Sequence, residues 1–233
     1  MKVEIWSDVA CPWCYIGKRR FEAALAQFEH RDQIEVIWHS YQLDPDAPRT
    51  SKQTVNEMLS QKYGVSINKA AAMNDQVTAL AAQEGLEYHL DKARYGNTFD
   101  AHRLSHLATT HHLQDEMEER LFRAYFTEGL ALGDTETLVQ IASQAGITAD
   151  EARTVLASDA YADEVRADEQ MARDLGIRGV PFFAFDEKYG VSGAQSSQVF
   201  QKVLEQAWSE SHPLINVSTT EDAGLCDDDT CTI

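Results

Sequence analysis

The stretch Val3-Glu4-Ile5-Trp6-Ser7-Asp8-Val9-Ala10-Cys11-Pro12-Trp13-Cys14-Tyr15-Ile16-Gly17 joins two kinds of pattern. Its first half alternates, with Val3 and Ile5 apolar, as a β-strand covered on one face does. Its second half opens a helix. Pro12 suits a first helical position, where its missing N–H would be unpaired anyway. Phe21, Leu25 and Phe28 then recur at helical spacing, so the helix is expected over residues 12–29. A Cys-x-x-Cys therefore stands where a strand runs into a helix. Sulfurs at that spacing lie one turn apart on one side of the helix, close enough to bridge. The first also sits at the positive end of the helix dipole, among unpaired backbone N–H groups, and both effects favour thiolate over thiol. The thiolate is the form that attacks a disulfide. Cys11 is thus expected as an exposed nucleophile and Cys14 as a shielded resolving thiol, with Trp13 beside Pro12 as an apolar lip for a substrate.

Working outward, Ile34-Glu35-Val36-Ile37-Trp38 is a second strand signal, ended by Asp44-Pro45-Asp46-Ala47-Pro48. Residues 51–175 are rich in Ala, Gln, Glu and Leu. Helices are expected there over 54–63, 69–84, 98–114, 115–127, 135–145, 149–158 and 161–175. Glycines such as Gly64, Gly85 and Gly146 fall at the proposed ends, and Thr148-x-x-Glu151 has capping-box spacing. Strand signal returns at Gly179-Val180-Pro181-Phe182-Phe183-Ala184-Phe185, followed by a turn at 186–188, a short strand at 189–193 and a last helix over 197–208. Strands on either side of a helical block can share one sheet. The expected architecture is an α/β domain formed by 1–50 and 176–212, an all-helical insertion at 51–175 and a mobile acidic tail at 213–233.

The 233 residues, 43% of them hydrophobic, suffice for a full core. A net charge of −18 disfavours nucleic acid and anionic membrane surfaces as partners, and removing the tail still leaves −13. Apolar runs fall short of the roughly 20 residues of a membrane span. The first residues carry acids where a signal peptide has its apolar core. A cytoplasmic protein in a reducing compartment is expected. Four cysteines are too few for a disulfide scaffold in a chain of this length, and their two close pairs point to chemistry. A four-thiolate zinc site from Cys11, Cys14, Cys226 and Cys231 is the competing reading. The strand–CxxC–helix context favours redox chemistry with no metal.

Other side chains have bland readings. Asp8 reads as a solvated strand end, against a role in adjusting Cys11. Lys18, Arg19 and Arg20 read as an exposed helix face, against raising the potential near Cys11. His102 and Arg103 are placed on a helix facing the cleft between domains, where a satisfied structural histidine is the favoured reading. His39 reads as structural and His111-His112 as a solvated helix end.

Ser7-Asp8-Val9-Ala10-Cys11-Pro12-Trp13-Cys14-Tyr15-Ile16-Gly17 resembles the active-site segment of the FrnE-like branch of the DsbA family. Asn97-Thr98-Phe99-Asp100-Ala101-His102-Arg103-Leu104 resembles its insertion-domain motif. Gly176-Ile177-Arg178-Gly179-Val180-Pro181-Phe182-Phe183 and Val191-Ser192-Gly193-Ala194-Gln195 resemble its cis-proline segment and the strand end after it. The resemblance covers about the first 210 residues. It implies a thioredoxin-like α/β fold with an inserted all-helical domain, and disulfide exchange or isomerisation on proteins or small molecules that carry thiols or disulfides. Cys11, Cys14 and a cis Pro181 would be catalytic, with Pro12, Trp13, Val180, Phe182 and His102 contacting substrate. No cofactor is implied; glutathione would be a redox partner or substrate. The Cys226-x4-Cys231 tail is similar to that of some FrnE proteins, where it exchanges electrons with the CxxC. A tethered pair has a high effective concentration at its target, and its aspartates raise the thiol pKa values. An inert or metal-catching tail is the open alternative. Two rival functions remain. The first is a glutathione-dependent transferase or isomerase similar to 2-hydroxychromene-2-carboxylate isomerase, although those enzymes carry serine at the Cys11 position. The second is a zinc-binding, chaperone-like module with an apolar groove near Trp13 and Phe182.

Overall fold

Alternation along β1 (Lys2–Ser7) sends Val3 and Ile5 to one face of a sheet and Glu4 and Trp6 to the other, and the rest of the fold is built on those two faces. The computed structural model describes residues 1–213, 226–227 and 230–231. After β1 come α1 (Pro12–Gln27) and β2 (Glu35–Ser40), then seven helices: α2 (Val55–Tyr63), α3 (Ile67–Gln83), α4 (Phe99–Thr110), α5 (Gln114–Phe126), α6 (Thr135–Gln144), α7 (Ala149–Leu156) and α8 (Ala162–Asp174). β3 (Phe182–Phe185), β4 (Tyr189–Ser192) and α9 (Ser197–Ser211) complete the domain. The sheet order is β2-β1-β3-β4, with β2 parallel to β1 and both β3 and β4 antiparallel to their neighbours. The tail expected at 213–233 lies mostly outside the described residues. Its described parts are β5 (Cys226–Asp227) and β6 (Thr230–Cys231), whose register sets Cys226 opposite Cys231.

The first face is covered by α1 and α9. Phe183, opposite Ile5 in the register, packs its ring 5.6 Å from Phe21 of α1 and 4.6 Å from Phe200 of α9. The apolar core runs from there into the inserted helices without a break. Tyr15 of α1 stacks 4.9 Å from Phe122 of α5, and Tyr88 stacks 4.6 Å from Phe126. The second face is covered by α8. Ala172 packs with Trp6 and Ile177, and the Trp6 indole N–H donates to the Asp168 carbonyl at 3.3 Å. This corrects the boundary at residue 175. The 51–175 block is not wholly an insertion, because its last helix is the sheet's second layer.

Two polar readings are also corrected. Asp8 is not a solvated strand end but 2% exposed. It follows the end of β1 at Ser7, accepting from Ala10 N at 3.2 Å and Leu43 N at 2.7 Å, while Cys11 N donates to its backbone carbonyl at 2.9 Å. Lys18 is not on an exposed face. Only 2% of its side chain is exposed, and its ammonium lies against Glu22, Asp115 at 3.1 Å and Glu119 at 3.4 Å. Burial disfavours that charge, but the three carboxylates outweigh it and raise the Lys18 pKa. The cluster ties α1 to α5. The helix expected over 98–114 stops at Thr110, His112 takes a left-handed turn at φ 58°, and the next helix begins at Gln114.

Between β2, α4 and α8, Asp168 accepts from the Ser40 N–H at 2.8 Å and pairs with His39 at 2.7 Å and His106 at 3.0 Å. His39 also meets Glu4 at 3.1 Å and stacks on Trp6. Burial disfavours the imidazolium, but Asp168 and Glu4 more than compensate and raise the His39 pKa. Burial likewise opposes the Asp168 carboxylate, yet His106, His39 and the Ser40 N–H hold it well below the usual range. The His39 contribution to stability is therefore complete below its unfolded pKa of about 6.5 and fades as pH rises through the folded value. The Asp168 contribution is complete above its unfolded pKa of about 3.9 and fades as pH falls towards the folded value. Proton NMR of the His39 ring is expected to give a midpoint above 6.5; one at or below 6.5 refutes the pairing.

Candidate active site

Cys11 is the N-cap of α1, with extended backbone at φ −90° and ψ 114°, and Pro12 begins the helix. The Cys14 N–H donates to the Cys11 carbonyl at 3.0 Å, which fixes the first turn. The two thiols therefore differ in setting. Cys14 is 1% exposed inside the core. Burial, then its hydrogen bond to Cys11 and the Cys11 charge, push its pKa well up, so it holds its proton. Cys11, by contrast, stands at the head of the helix as its N-cap.

The expected exposure of Cys11 is overturned: the residue is 3% exposed. One side is closed by the Val180–Pro181 segment, whose peptide bond is cis. The Cys11 thiol lies 3.6 Å from the Val180 carbonyl, which accepts from it. The helix approaches this segment through Gly17, where an added Cβ would stand 3.0 Å from the Pro181 ring and 3.4 Å from Phe183. Gly17 went unremarked in the sequence, although a glycine inside a helical pattern already signals a close approach. In Gly17→Ala the crowding costs about 1–3 kcal/mol, against a gain of about 1 kcal/mol in helix propensity. A net loss of about 1 kcal/mol is expected in urea unfolding, and an unchanged midpoint would mean that Pro181 yields freely.

The other side of Cys11 opens on a cavity of about 540 Å³. Cys11, Pro12, Trp13 and Val180 form part of its wall, to which α2, α3 and the end of α5 also contribute. Trp13 is 42% exposed and stands at this wall. Tyr88, unmarked in the sequence, braces the turn by donating its hydroxyl to the Pro12 carbonyl at 2.8 Å. Burial, and next the Cys11 charge, raise the Tyr88 pKa, so the phenol keeps the proton it donates.

Two expected substrate contacts lie elsewhere. Phe182 points to the sheet's second face, its ring 6.2 Å from Trp6, because strand alternation puts its neighbour Phe183 on the α1 face. The groove expected near Trp13 and Phe182 is thus not formed by Phe182. His102 is not on the cavity wall. It is buried behind Asp8, its Nε2 3.6 Å from Asp8 Oδ1, an ion-pair separation rather than a hydrogen bond. Burial disfavours its charge, but Asp8 and then Glu118 outweigh that and raise its pKa. Arg103 is likewise structural, donating to the carbonyls of Val155, Ser158 and Ala160. Among the described residues no group of three or more His, Cys, Asp and Glu side chains is placed to hold a metal ion.

The model of the DSBA-like thioredoxin domain matches residues 2–205. The chain belongs to that family. Its fold is accordingly thioredoxin-like, and the family is one of thiol oxidoreductases. A probable DsbA oxidoreductase from Streptomyces coelicolor is 48% identical, with a TM-score of 0.87 over 100% of this chain and 99% of that one. The uncharacterized Bacillus subtilis protein YwbO is 26% identical over 87% of this chain and 94% of its own. The cytosolic disulfide reductase DsbM from Pseudomonas aeruginosa, solved with glutathione, shares the fold at 16% identity, with a TM-score of 0.63 over 89% of this chain and 99% of that one. Among the described residues no helix is long and apolar enough to cross a membrane.

Proposed function

We infer that the protein is a dithiol–disulfide oxidoreductase in which Cys11 attacks and Cys14 resolves. The observation that carries this reading is the pairing of two unlike thiols on one helical turn. Cys11 stands at the helix N-terminus on the wall of a cavity, and Cys14 is buried with its pKa raised. The Cys11 thiolate attacks a disulfide sulfur, a mixed disulfide forms, and the first substrate thiolate leaves. Attack removes the Cys11 charge, one of the influences holding the Cys14 proton. Cys14 then gives up its proton, attacks the Cys11 sulfur and releases the second thiolate. The Val180 carbonyl and the Trp13 ring border the sulfur under attack.

Thiol- or disulfide-containing partners follow from this chemistry. Glutathione serves as redox partner in a cytoplasmic setting, a role supported by the cytosolic reductase of the same fold solved with it. The reading extends to Cys226 and Cys231, opposite each other in the β5–β6 register, as a second pair relaying electrons to the first. A buried resolving thiol one turn from Cys11 has no task in glutathione-dependent isomerisation, which favours the redox reading over that rival.

The test is equilibration across a series of glutathione redox ratios, with disulfides quantified by mass spectrometry. A reversible two-electron Cys11–Cys14 titration is expected, within a total of four electrons per chain as both pairs are reduced, and two in the Cys226→Ser/Cys231→Ser variant. A Cys11–Cys14 pair that stays reduced throughout, or that binds zinc, overturns the reading. Two electrons in the parent overturn the relay alone.

A further inference from the structure

We propose that the cavity beside Cys11 selects a small, neutral disulfide with an apolar body, which the dithiol reduces. The inference rests on the redox reading above and adds its substrate class. Cys11 is 3% exposed, so its sulfur is reached through the cavity rather than across an open surface. The volume of about 540 Å³ is that of a small-molecule site. The same cavity is lined by Met58 and Leu59 of α2, Val77 and Leu80 of α3, and Phe126 of α5. Met58 and Leu59 are part-buried and packed against the core, so a ligand filling the space gains apolar contact.

The charges on the wall select against acidic substrates. The carboxylate of Asp8 is already engaged by the Ala10 and Leu43 N–H groups, and that of Asp44 accepts from the Tyr95 hydroxyl at 2.5 Å. Lys62 is the one basic residue among those lining the cavity, and it is exposed. Among the described residues lining the cavity no other cation is present to meet the carboxylates of glutathione disulfide, and the chain as a whole carries −18. A neutral dialkyl or aryl disulfide meets neither penalty.

The reaction balances as follows. Cys11 forms a bond to one substrate sulfur as the substrate S–S bond breaks. Cys14 then displaces the bound half to form the Cys11–Cys14 disulfide. One substrate disulfide and the protein dithiol become two substrate thiols and the protein disulfide, a transfer of two electrons. The protons of the two cysteines pass to the products, and an external dithiol restores the protein.

The test is steady-state reduction of diethyl, dipropyl and dibutyl disulfide by the full chain, with dithiothreitol as reductant. Each buried methylene is expected to raise kcat/KM by about fourfold, through KM with kcat steady. Leu80→Asp, checked for folding by circular dichroism, is expected to flatten the series. Glutathione disulfide is expected to have a higher KM than dipropyl disulfide. A flat series in the parent, or a protein disulfide such as insulin reduced with the higher kcat/KM, overturns the proposal. If Cys11–Cys14 titrates with glutathione and the series is flat, the substrate class fails and the redox reading stands. If the pair does not titrate, the redox reading itself fails.

Discussion

Cys11→Ser loses disulfide exchange down to the uncatalysed background while folding as the parent does. Serine fills nearly the same volume at a position already 3% exposed, so packing changes little. Its hydroxyl forms no bond to sulfur under these conditions and supplies no thiolate at neutral pH. The neighbouring thiol cannot take over. Cys14 is buried, and its raised pKa leaves it protonated. Initial rates with dithiothreitol and a dialkyl disulfide, read beside a thermal melt, check the expectation. Exchange persisting in a folded Cys11→Ser protein places the nucleophile elsewhere.

Cys14→Ala gives a different failure. Attack by Cys11 still occurs, but no neighbouring thiol releases the mixed disulfide. The protein is expected to accumulate with a mass increased by half of the substrate, while turnover falls to what external thiol alone can support. Truncating a buried sulfur leaves a small void, at a cost of about 1–2 kcal/mol on the scale of core truncations. In the parent, the resolving step speeds up with pH, because burial holds the Cys14 proton above its ordinary value. That alkaline rise is absent from Cys14→Ala. Intact mass after mixing, taken across pH, reads both effects. A variant that turns over like the parent would assign resolution to another thiol.

Much of this fold was legible because its signals are local. Strand alternation marked Val3 and Ile5, and glycines with left-handed backbone end helices at Gly64 and Gly85. Thr148 accepts from Glu151 N at the start of α7, where the spacing called for a cap. The misreadings share one physical origin. Periodicity tells which face of an element is apolar, but not which neighbour covers the other. Lys18 sits among charged residues in sequence and looked solvated; α5 brings Asp115 and Glu119 over it. Cys11 looked exposed because a helix N-terminus usually is. Its cover comes from residues about 170 positions later, at Val180, and from inserted helices whose placement no local pattern encodes. Phe182 was placed near the site by the family resemblance, yet one residue of alternation sends it through the sheet. Tyr88 carries no sequence signal at all, since it acts by one hydrogen bond across 76 residues.

The cavity has a divided ancestry in the chain. The sulfurs and the Val180 carbonyl belong to the sheet domain, whereas α2 and α3, which line the same cavity, are one uninterrupted run of residues 55–83. A single recombination event that replaced this run would exchange that part of the wall and leave both cysteines in place. A grafted α2–α3 hairpin is therefore the natural unit for retargeting the protein.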